Sequence, residues 1–178
     1  MSTQSYQAEY EKFKRFNYNI DQEIPFGLRI HVDHESTNYE EGTICLLPKT
    51  QGAPLHKHST QEEEFTVLDG EMILQVGKRK LTLKPGETVR FPKNTPHTYA
   101  NERDKVCIFK YKLTPGGDFT KMMREFEKLG KSGKVSRIGE AKTMIHIAAL
   151  ISKFDHHVRS VSPPHFVLKA LGSLSRFL

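Results

Sequence analysis

The sequence predicts a mainly β protein, a single antiparallel β-barrel or jelly roll with a helix before it and a helical extension after it. Between residues 23 and 117, short apolar runs alternate with turn-forming residues at intervals of roughly ten positions, which is typical of antiparallel sandwiches and barrels. Residues 1–22 differ, because Tyr6, Tyr10 and Phe13 recur at the spacing of an amphipathic helix. A length of 178 residues suits one domain with an apolar core and an appendage.

Turn signals divide the barrel region into strands. Asp69-Gly70 stands between two apolar runs and is a strong signal for a two-residue β-hairpin. Gly77-Lys78 predicts a second turn and Pro85-Gly86 a third. We therefore expect a succession of short antiparallel strands through this region.

Residues 118–178 are predicted to form three helices. Asp118 is a suitable N-cap for the first, FTKMMREFEKL, and the second is GEAKTMIHIAALISKF. The third, PPHFVLKALGSLSRFL, begins with Pro and carries one apolar stripe, formed by Val167, Leu171, Leu174 and Leu178.

The positive charge is concentrated in that extension. Residues 118–178 hold eleven Lys and Arg against five Asp and Glu, whereas the first 117 residues hold sixteen of each, so the extension carries the whole net charge of +6. A neutral barrel argues against a nucleic-acid groove there. Packing against the barrel or a second subunit is the preferred interpretation of the extension, and we expect a homodimer and no nucleic-acid partner. Peripheral contact of the last helix with an anionic membrane, and DNA binding by a helix-turn-helix, are the alternatives.

Cysteine usage and hydropathy favour a cytoplasmic location. Cys45 and Cys107 both lie in strand-like apolar runs and are expected to be reduced core residues. No apolar run approaches the ~18 residues that a membrane-spanning helix needs. The first residues also lack the apolar region of a signal peptide.

The stretch PLHKHSTQEEEF has the composition of a metal site. His56 and His58 are two positions apart, so in a strand they project to the same face, about 7 Å apart along the backbone, and can share one ion. Alternate residues of a strand face opposite sides, so either the middle one of the three consecutive glutamates points inward or its two neighbours do. Glu63 shares its parity with Phe65 and Val67, whose apolar side chains favour the interior. We therefore expect Glu63 inside and its two glutamate neighbours in water.

His97 is the expected fourth ligand. It opens the strand HTYAN after a Pro-containing turn, and we place it on the opposite side of the barrel from the first two histidines. Tyr99 and Asn101 share its parity, so each could line the pocket or support a ligand, although a strand-end hydrogen bond explains Asn101 equally well. Phe65, Val67 and Tyr99 would make a mostly apolar substrate pocket, suited to an aromatic or carbonyl-bearing molecule. Core packing explains these three residues as well.

A second metal site is not expected from the remaining histidines. His156 and His157 are adjacent in the chain, and neighbouring side chains point in different directions in a helix or a strand.

The metal-site stretch resembles the first signature motif of the cupin superfamily, G(X)5HXH(X)3,4E(X)6G. The positions that match are His56, His58, Glu63 and Gly70. The leading Gly of the motif is Thr50 here, with Gly52 close by.

The second cupin motif, G(X)5PXG(X)2H(X)3N, has its counterpart further along the chain. The positions that match are Gly86, Pro92, His97 and Asn101. The central Gly is Asn94, a mild departure, because Asn adopts a left-handed backbone more readily than other residues with a side chain. The resemblance covers about residues 42–113.

The resemblance implies that one divalent transition metal is bound, with His56, His58, Glu63 and His97 as its ligands. Three imidazoles and one carboxylate suit Fe(II), Mn(II), Ni(II), Cu(II) or Zn(II) and leave positions open for water or substrate. The set also contains the two-His-one-carboxylate combination of non-haem iron oxygenases. A cupin that keeps the motif and binds no metal is the alternative. The order of the C-terminal segments is loosely similar to that of small bacterial quercetinase-like cupins.

Three functions are compatible with such a site. The preferred one is a metal-dependent enzyme acting on a small organic molecule, a dioxygenase for an aromatic or 1,3-dicarbonyl-like substrate, with Glu63 as ligand and base. A non-redox isomerase or lyase is the second. A ligand-binding sensor module without turnover is the third, since the cupin fold supports all three.

Overall fold

The computed structural model describes residues 28–135 and 140–177. Its strands are β1 (Leu28–Glu35), β2 (Glu40–Leu46), β3 (Thr50–Gln51), β4 (His56–His58), β5 (Glu62–Asp69), β6 (Met72–Val76), β7 (Arg79–Leu83), β8 (Thr88–Phe91), β9 (His97–Asn101), β10 (Cys107–Thr114) and β11 (Val158–Ser160). Its helices are α1 (Phe119–Lys131), α2 (Ala141–Lys153), α3 (His165–Ser173) and a 3-10 helix (Leu174–Phe177).

The strands form two antiparallel sheets around one apolar core, which confirms the predicted fold class. The first sheet has the order β1-β2-β10-β5-β8 and the second the order β11-β4-β9-β6-β7, with β3 beside β9. Side chains from both sheets make up the main hydrophobic cluster. The helix predicted for residues 1–22 lies outside the described residues.

Strand β5 shows how alternation in the sequence builds this core. Glu63, Phe65 and Val67 are buried, as their shared parity predicts. Glu64, of the opposite parity, points outward and accepts a hydrogen bond from Arg90 of β8 at 2.9 Å. One face of β5 therefore belongs to the interior and the other to the surface.

One of the predicted turns is a hairpin and another is not. Gly77-Lys78 connects β6 and β7, whose residues Val76 and Arg79 pair directly, so this hairpin is confirmed. The hairpin predicted at Asp69-Gly70 is wrong, because β5 belongs to the first sheet and β6 to the second. The turn itself is present, with Gly70 at a φ of 73°. A turn signal reports local backbone geometry only, and here the chain uses the turn to cross between sheets.

The N-terminus of α1 is capped by the barrel rather than by its own N-cap residue. Asp118 occupies the N-cap position but makes no capping hydrogen bond through its side chain. Instead, the carboxylate of Glu40, buried on β2, accepts hydrogen bonds from the amides of Phe119 at 3.3 Å and Thr120 at 3.2 Å. These are two of the amides that a helix leaves without an internal partner. Glu40 thus ties the extension to the barrel.

Glu40 is expected to make the stability of the fold depend on pH. Burial raises the pKa of the Glu40 carboxyl above its ordinary value of 4.5. Its stabilising contribution is therefore complete below that ordinary value and is lost as the pH rises through the folded-state pKa. Glu40→Gln cannot ionise, so the free energy of unfolding of the variant minus that of the wild type should increase between pH 4 and pH 7.

Urea unfolding of both proteins at several pH values measures this difference. Glu41→Gln is the matched control, because Glu41 is the next residue of the same strand and lies at the surface, 3.8 Å from Lys110. A difference between Glu40→Gln and wild type that stays constant with pH would contradict the prediction.

The C-terminal extension contains the three predicted helices and one unexpected strand. β11 pairs with β4, with Val158 opposite His58 and Ser160 opposite His56. The extension is thereby part of the second sheet. No helix among residues 28–135 and 140–177 is long and apolar enough to cross a membrane.

Helix α3 packs through a face that shares only Leu171, partly buried against α2, with the described part of the stripe seen in the sequence. Leu168 and Gly172 are buried on the α2 side, whereas Val167 and Leu174 are exposed. A Cβ at residue 172 would crowd the backbone of Ala149, so the absence of a side chain there lets the two helices approach closely. The close approach of the α2 and α3 backbones determines which face of α3 is buried, and the spacing of apolar residues in the sequence does not indicate that approach.

Candidate metal centre

The four predicted ligands come from three strands in the two sheets. His56 and His58 are the ends of β4, His97 is the first residue of β9, and Glu63 lies on β5. His56 and His97 are direct cross-strand partners in the same sheet. The placement of His97 across the barrel from the other histidines is therefore wrong. Glu63 is the residue that reaches in from the opposite sheet.

The ligand atoms of these side chains converge on one point. Oε2 of Glu63 lies 2.6 Å from Nε2 of His97 and 3.3 Å from Nε2 of His58. One ligand atom from each of the four residues lies within 4.8 Å of every other. All four residues are buried, with at most 7% of any of them exposed.

Hydrogen bonds on the far side of two rings turn their Nε2 atoms toward this point. Nδ1 of His56 lies 2.8 Å from the carbonyl oxygen of Pro54, and Nδ1 of His97 lies 2.9 Å from that of Thr95. A carbonyl can only accept, so Nδ1 carries the proton in each ring. The lone pair of each neutral ring is then on Nε2, as in metal-bound histidines whose other nitrogen donates to a backbone carbonyl.

The convergent atoms lack other partners, which is what a metal site requires. Nε2 of His58, Nε2 of His97 and Oε2 of Glu63 are buried and make no hydrogen bond within the described part of the chain. Leaving buried polar atoms unpaired is costly, and a divalent cation would satisfy all of them. The residues therefore fit a transition metal with nitrogen and oxygen ligands.

The electrostatics of the cluster favour ionised Glu63 and neutral His56. Burial, followed by the nearby His97 and His58, lowers the pKa of His56 to about 3. Burial alone would raise the pKa of Glu63, but contact with His58 and His97 outweighs burial and holds it well below its usual range. Burial would lower the pKa of His97, but the Glu63 carboxylate raises it above the ordinary value. The cluster thus places a negative charge at its centre, where a cation would sit.

The predicted pocket residues Phe65, Val67 and Tyr99 are all buried in the main hydrophobic core. The Phe65 ring stands edge-on to Tyr99, with centroids 5.4 Å apart, and 6.1 Å from the ring of His97. Burial raises the pKa of the Tyr99 hydroxyl well above its usual range, so that group is neutral at physiological pH. The wall of the site is therefore mainly aromatic and uncharged.

Asn101 directs its polar atoms at the backbone. Its amide nitrogen donates to the carbonyl oxygens of Leu46, Leu47 and Lys105, at 3.1, 3.1 and 2.7 Å, and its Oδ1 accepts from the amide of Arg103 at 3.0 Å. These bonds hold three chain segments together at the end of β9. Of the two interpretations that the sequence allows for Asn101, these bonds match the strand-end hydrogen bond.

Phe91 is a neighbour of the cluster that sequence reasoning missed. Its ring stacks on His97, with centroids 4.2 Å apart and planes at 16°. It also pairs with Glu63 across β5 and β8. The position of Phe91, one residue before the Pro92 of the second motif, could have indicated this role.

The two departures from the cupin motifs are explained by the backbone. Asn94 has a φ of 64°, the left-handed conformation expected there, and its amide donates to the carbonyl oxygen of His58 at 2.7 Å. Thr50 lies in β3, paired with Asn101, and needs no special conformation. Gly52 is the position where a side chain cannot fit, because a Cβ would overlap the Tyr99 ring.

Comparison with known proteins finds a match over the barrel. Residues 42–114 match the family model described as "Cupin domain". "Uncharacterized protein MJ1618" of Methanocaldococcus jannaschii is 34% identical over 57 residues, which are 32% of this chain and 46% of that protein. The chain therefore matches less than half the length of this curated relative.

Solved structures with the same fold are distant in sequence. KdgF from Halomonas sp. aligns with a TM-score of 0.50 and 17% identity, covering 56% of this chain and 90% of that one. TT1209 from Thermus thermophilus aligns with a TM-score of 0.50 and 22% identity, covering 60% and 93%. A Klebsiella pneumoniae protein with a double-stranded β-helix domain aligns with a TM-score of 0.50 and 19% identity, covering 56% and 90%. At these identities the similarity shows the fold alone.

Proposed function

We propose that this chain, whose residues 42–114 match the family model of the cupin domain, is a metal-dependent enzyme acting on a small organic molecule. The observation that carries the proposal is the convergence of four buried ligand atoms, three of which make no hydrogen bond to a described residue. A degenerate site kept only as core packing would be expected to pair or replace these atoms, since unpaired buried polar groups destabilise a fold.

The metal would be held by His56, His58, Glu63 and His97. When bound, it supplies Lewis-acid chemistry and, for a redox-active ion, electron transfer. Glu63 is ionised at neutral pH, because its pKa is held below the usual range. A carboxylate that is ionised at neutral pH can bind a cation without first losing a proton, and its low pKa makes it a weak base, so its role as ligand is the better supported of the two roles proposed for it.

The surrounding side chains suit an uncharged, partly apolar substrate. Phe91 covers one face of His97, and Phe65 and Tyr99 form an aromatic wall nearby. The ring of Phe91 supports the ligand histidine in one orientation, and an aromatic wall beside the metal would favour planar aromatic or carbonyl-bearing molecules. A dioxygenase is the reaction class we propose, because the ligand set contains two histidines and one carboxylate on one centre.

Oxygen uptake after metal reconstitution tests the dioxygenase proposal. We expect metal-free protein loaded anaerobically with Fe(II), Mn(II), Ni(II) or Cu(II) to consume oxygen with at least one member of a flavonol, catechol and 1,3-diketone panel. Glu63→Gln should abolish the uptake, and Glu64→Gln, changed at the neighbouring outward-facing residue, should retain it.

Two outcomes would contradict the dioxygenase. No uptake with any of the four metals would exclude it for this substrate panel. Turnover of a substrate by the Zn(II) form, at a rate that does not change when oxygen is removed, would replace it with non-redox isomerase or lyase chemistry.

A further inference from the structure

A second group of ligand-type side chains lies where the extension meets the barrel. Nε2 of His156 is 3.2 Å from Oδ2 of Asp118, and Nε2 of His157 is 4.0 Å from the same oxygen. The two imidazole rings are 4.1 Å apart between centroids. The expectation that these adjacent histidines point in different directions is therefore wrong. The turn between α2 and β11 folds both rings onto one carboxylate.

Two members of this group, Asp118 and His157, are positioned by separate parts of the fold. Glu40 caps α1, so the side chain of Asp118 does not serve as the cap and faces the histidines. Nδ1 of His157 lies 3.3 Å from the hydroxyl oxygen of Thr60, and the same ring packs on Gly117, where a Cβ would overlap it. These contacts leave Nε2 of His157 facing Asp118.

We propose that Asp118, His156 and His157 form a second metal site, which takes one divalent transition metal of the Zn²⁺ type. One ligand atom from each residue lies within 4.8 Å of the other two. Metal–ligand bonds of about 2.0–2.1 Å in a tetrahedron put neighbouring ligand atoms about 3.3 Å apart, so small side-chain rotations suffice. Two imidazoles and one carboxylate are a zinc-binding donor set.

The site differs from the buried centre in its exposure. The His156 side chain is 53% exposed and that of Asp118 is 38% exposed, so the fourth position would be taken by water. Lys121 is the cation nearest to Asp118 in the described structure, with Nζ 3.9 Å from Oδ1, and its exposed side chain can move away. We therefore expect weaker and more readily exchanged metal than at the buried centre.

The ligands come from two segments of the extension. Asp118 is the N-cap residue of α1, whereas His156 and His157 directly precede β11, which pairs with the ligand strand β4. A metal bound here would fasten the start of α1 to the segment that pairs with the strand carrying His56 and His58. The inference stands apart from the proposed enzyme function, because none of the buried ligands takes part.

Calorimetric titration of the untagged, metal-free chain with Zn²⁺ tests the proposal. We expect two binding events, a tight one from the buried centre and a weaker one. His156→Ala and Asp118→Asn should each lower the Zn²⁺ affinity of the weaker event by about tenfold or more. Mutating a residue that only hydrogen-bonds to a metal ligand already lowers metal affinity by about 10- to 100-fold. His34→Ala, which removes an exposed histidine elsewhere, should leave both events unchanged.

A second variant separates this site from the buried one. Glu63→Gln should lose the tight event and keep the weaker one, and Glu63→Gln combined with His156→Ala should lose both. A single binding event in the wild type that is lost in Glu63→Gln, or a weaker event that both His156→Ala and Asp118→Asn leave intact, would overturn the second site. Either result leaves the proposed function of the buried centre untouched.

Discussion

Glu63→Gln is expected to lower the affinity of the chain for a divalent transition metal by about 100-fold or more. Mutating a residue that only hydrogen-bonds to a metal ligand already lowers metal affinity by about 10- to 100-fold, and Glu63 is proposed as a ligand itself. Oε2 of Glu63 is the shared neighbour of Nε2 of His58 and Nε2 of His97, and it supplies the negative charge of the cluster. An amide oxygen in its place is neutral and a poorer ligand for a transition metal. The three imidazoles would then face the ion without charge compensation.

Glu64→Gln is the matched control for that change. It removes the same charge one residue away, on the outward face of β5, where Glu64 bonds to Arg90. Exposed ion pairs of this kind contribute about 0–1 kcal/mol, so the variant should keep both its fold and its metal affinity.

Elemental analysis after purification without added metal, followed by competitive titration against a chelator, measures both variants. Equal metal content in Glu63→Gln and wild type would refute the buried centre as a metal site. Equal loss in the two variants would mean that net charge, rather than ligation by Glu63, controls binding.

Phe65→Ala is expected to lower the free energy of unfolding by about 3–5 kcal/mol, the usual range for removing a buried phenyl ring. Phe65 is almost completely buried and contacts four rings edge-on. They are Phe109 at 5.0 Å, Phe91 at 5.2 Å, Tyr99 at 5.4 Å and His97 at 6.1 Å, measured between centroids. The cavity would lie beside His97, so the metal affinity should fall as well.

Urea unfolding in the presence of a chelator measures the packing contribution without the contribution of bound metal. Phe166→Ala on α3 is the control, because Phe166 is 73% exposed and surface substitutions usually stay within about 0.5 kcal/mol. Phe65→Leu should fall between the two. A change below about 1 kcal/mol for Phe65→Ala would show that the ring is not part of a tightly packed core.

The inward direction of Glu63 could be predicted from the sequence, because a strand alternates its faces with a fixed period. Phe65 and Val67 identify the inner face, and only Glu63 among three glutamates shares their parity. The left-handed backbone at Asn94 could be predicted for a similar reason, since it depends on one residue and its position in a turn.

The relations between strands could not be predicted in this way. Asp69-Gly70 has the composition of a hairpin, yet its two flanking strands pair with other strands in different sheets. His97 was expected across the barrel from His56 and instead lies beside it. Local composition determines where a chain turns, whereas pairing depends on contacts between residues far apart in sequence.

The sequence by itself determined the β class, the alternation that turns Glu63 inward and the identity of the four candidate ligands, because each depends on residue type and short-range spacing. Only the tertiary structure decided which ligand crosses from the other sheet, that β11 of the extension pairs with the ligand strand, and that Glu40 caps α1. It also brought His156 and His157 onto Asp118, 38 and 39 positions apart in the chain. Such contacts arise when separate segments pack, and the spacing of residues along one segment carries no record of them.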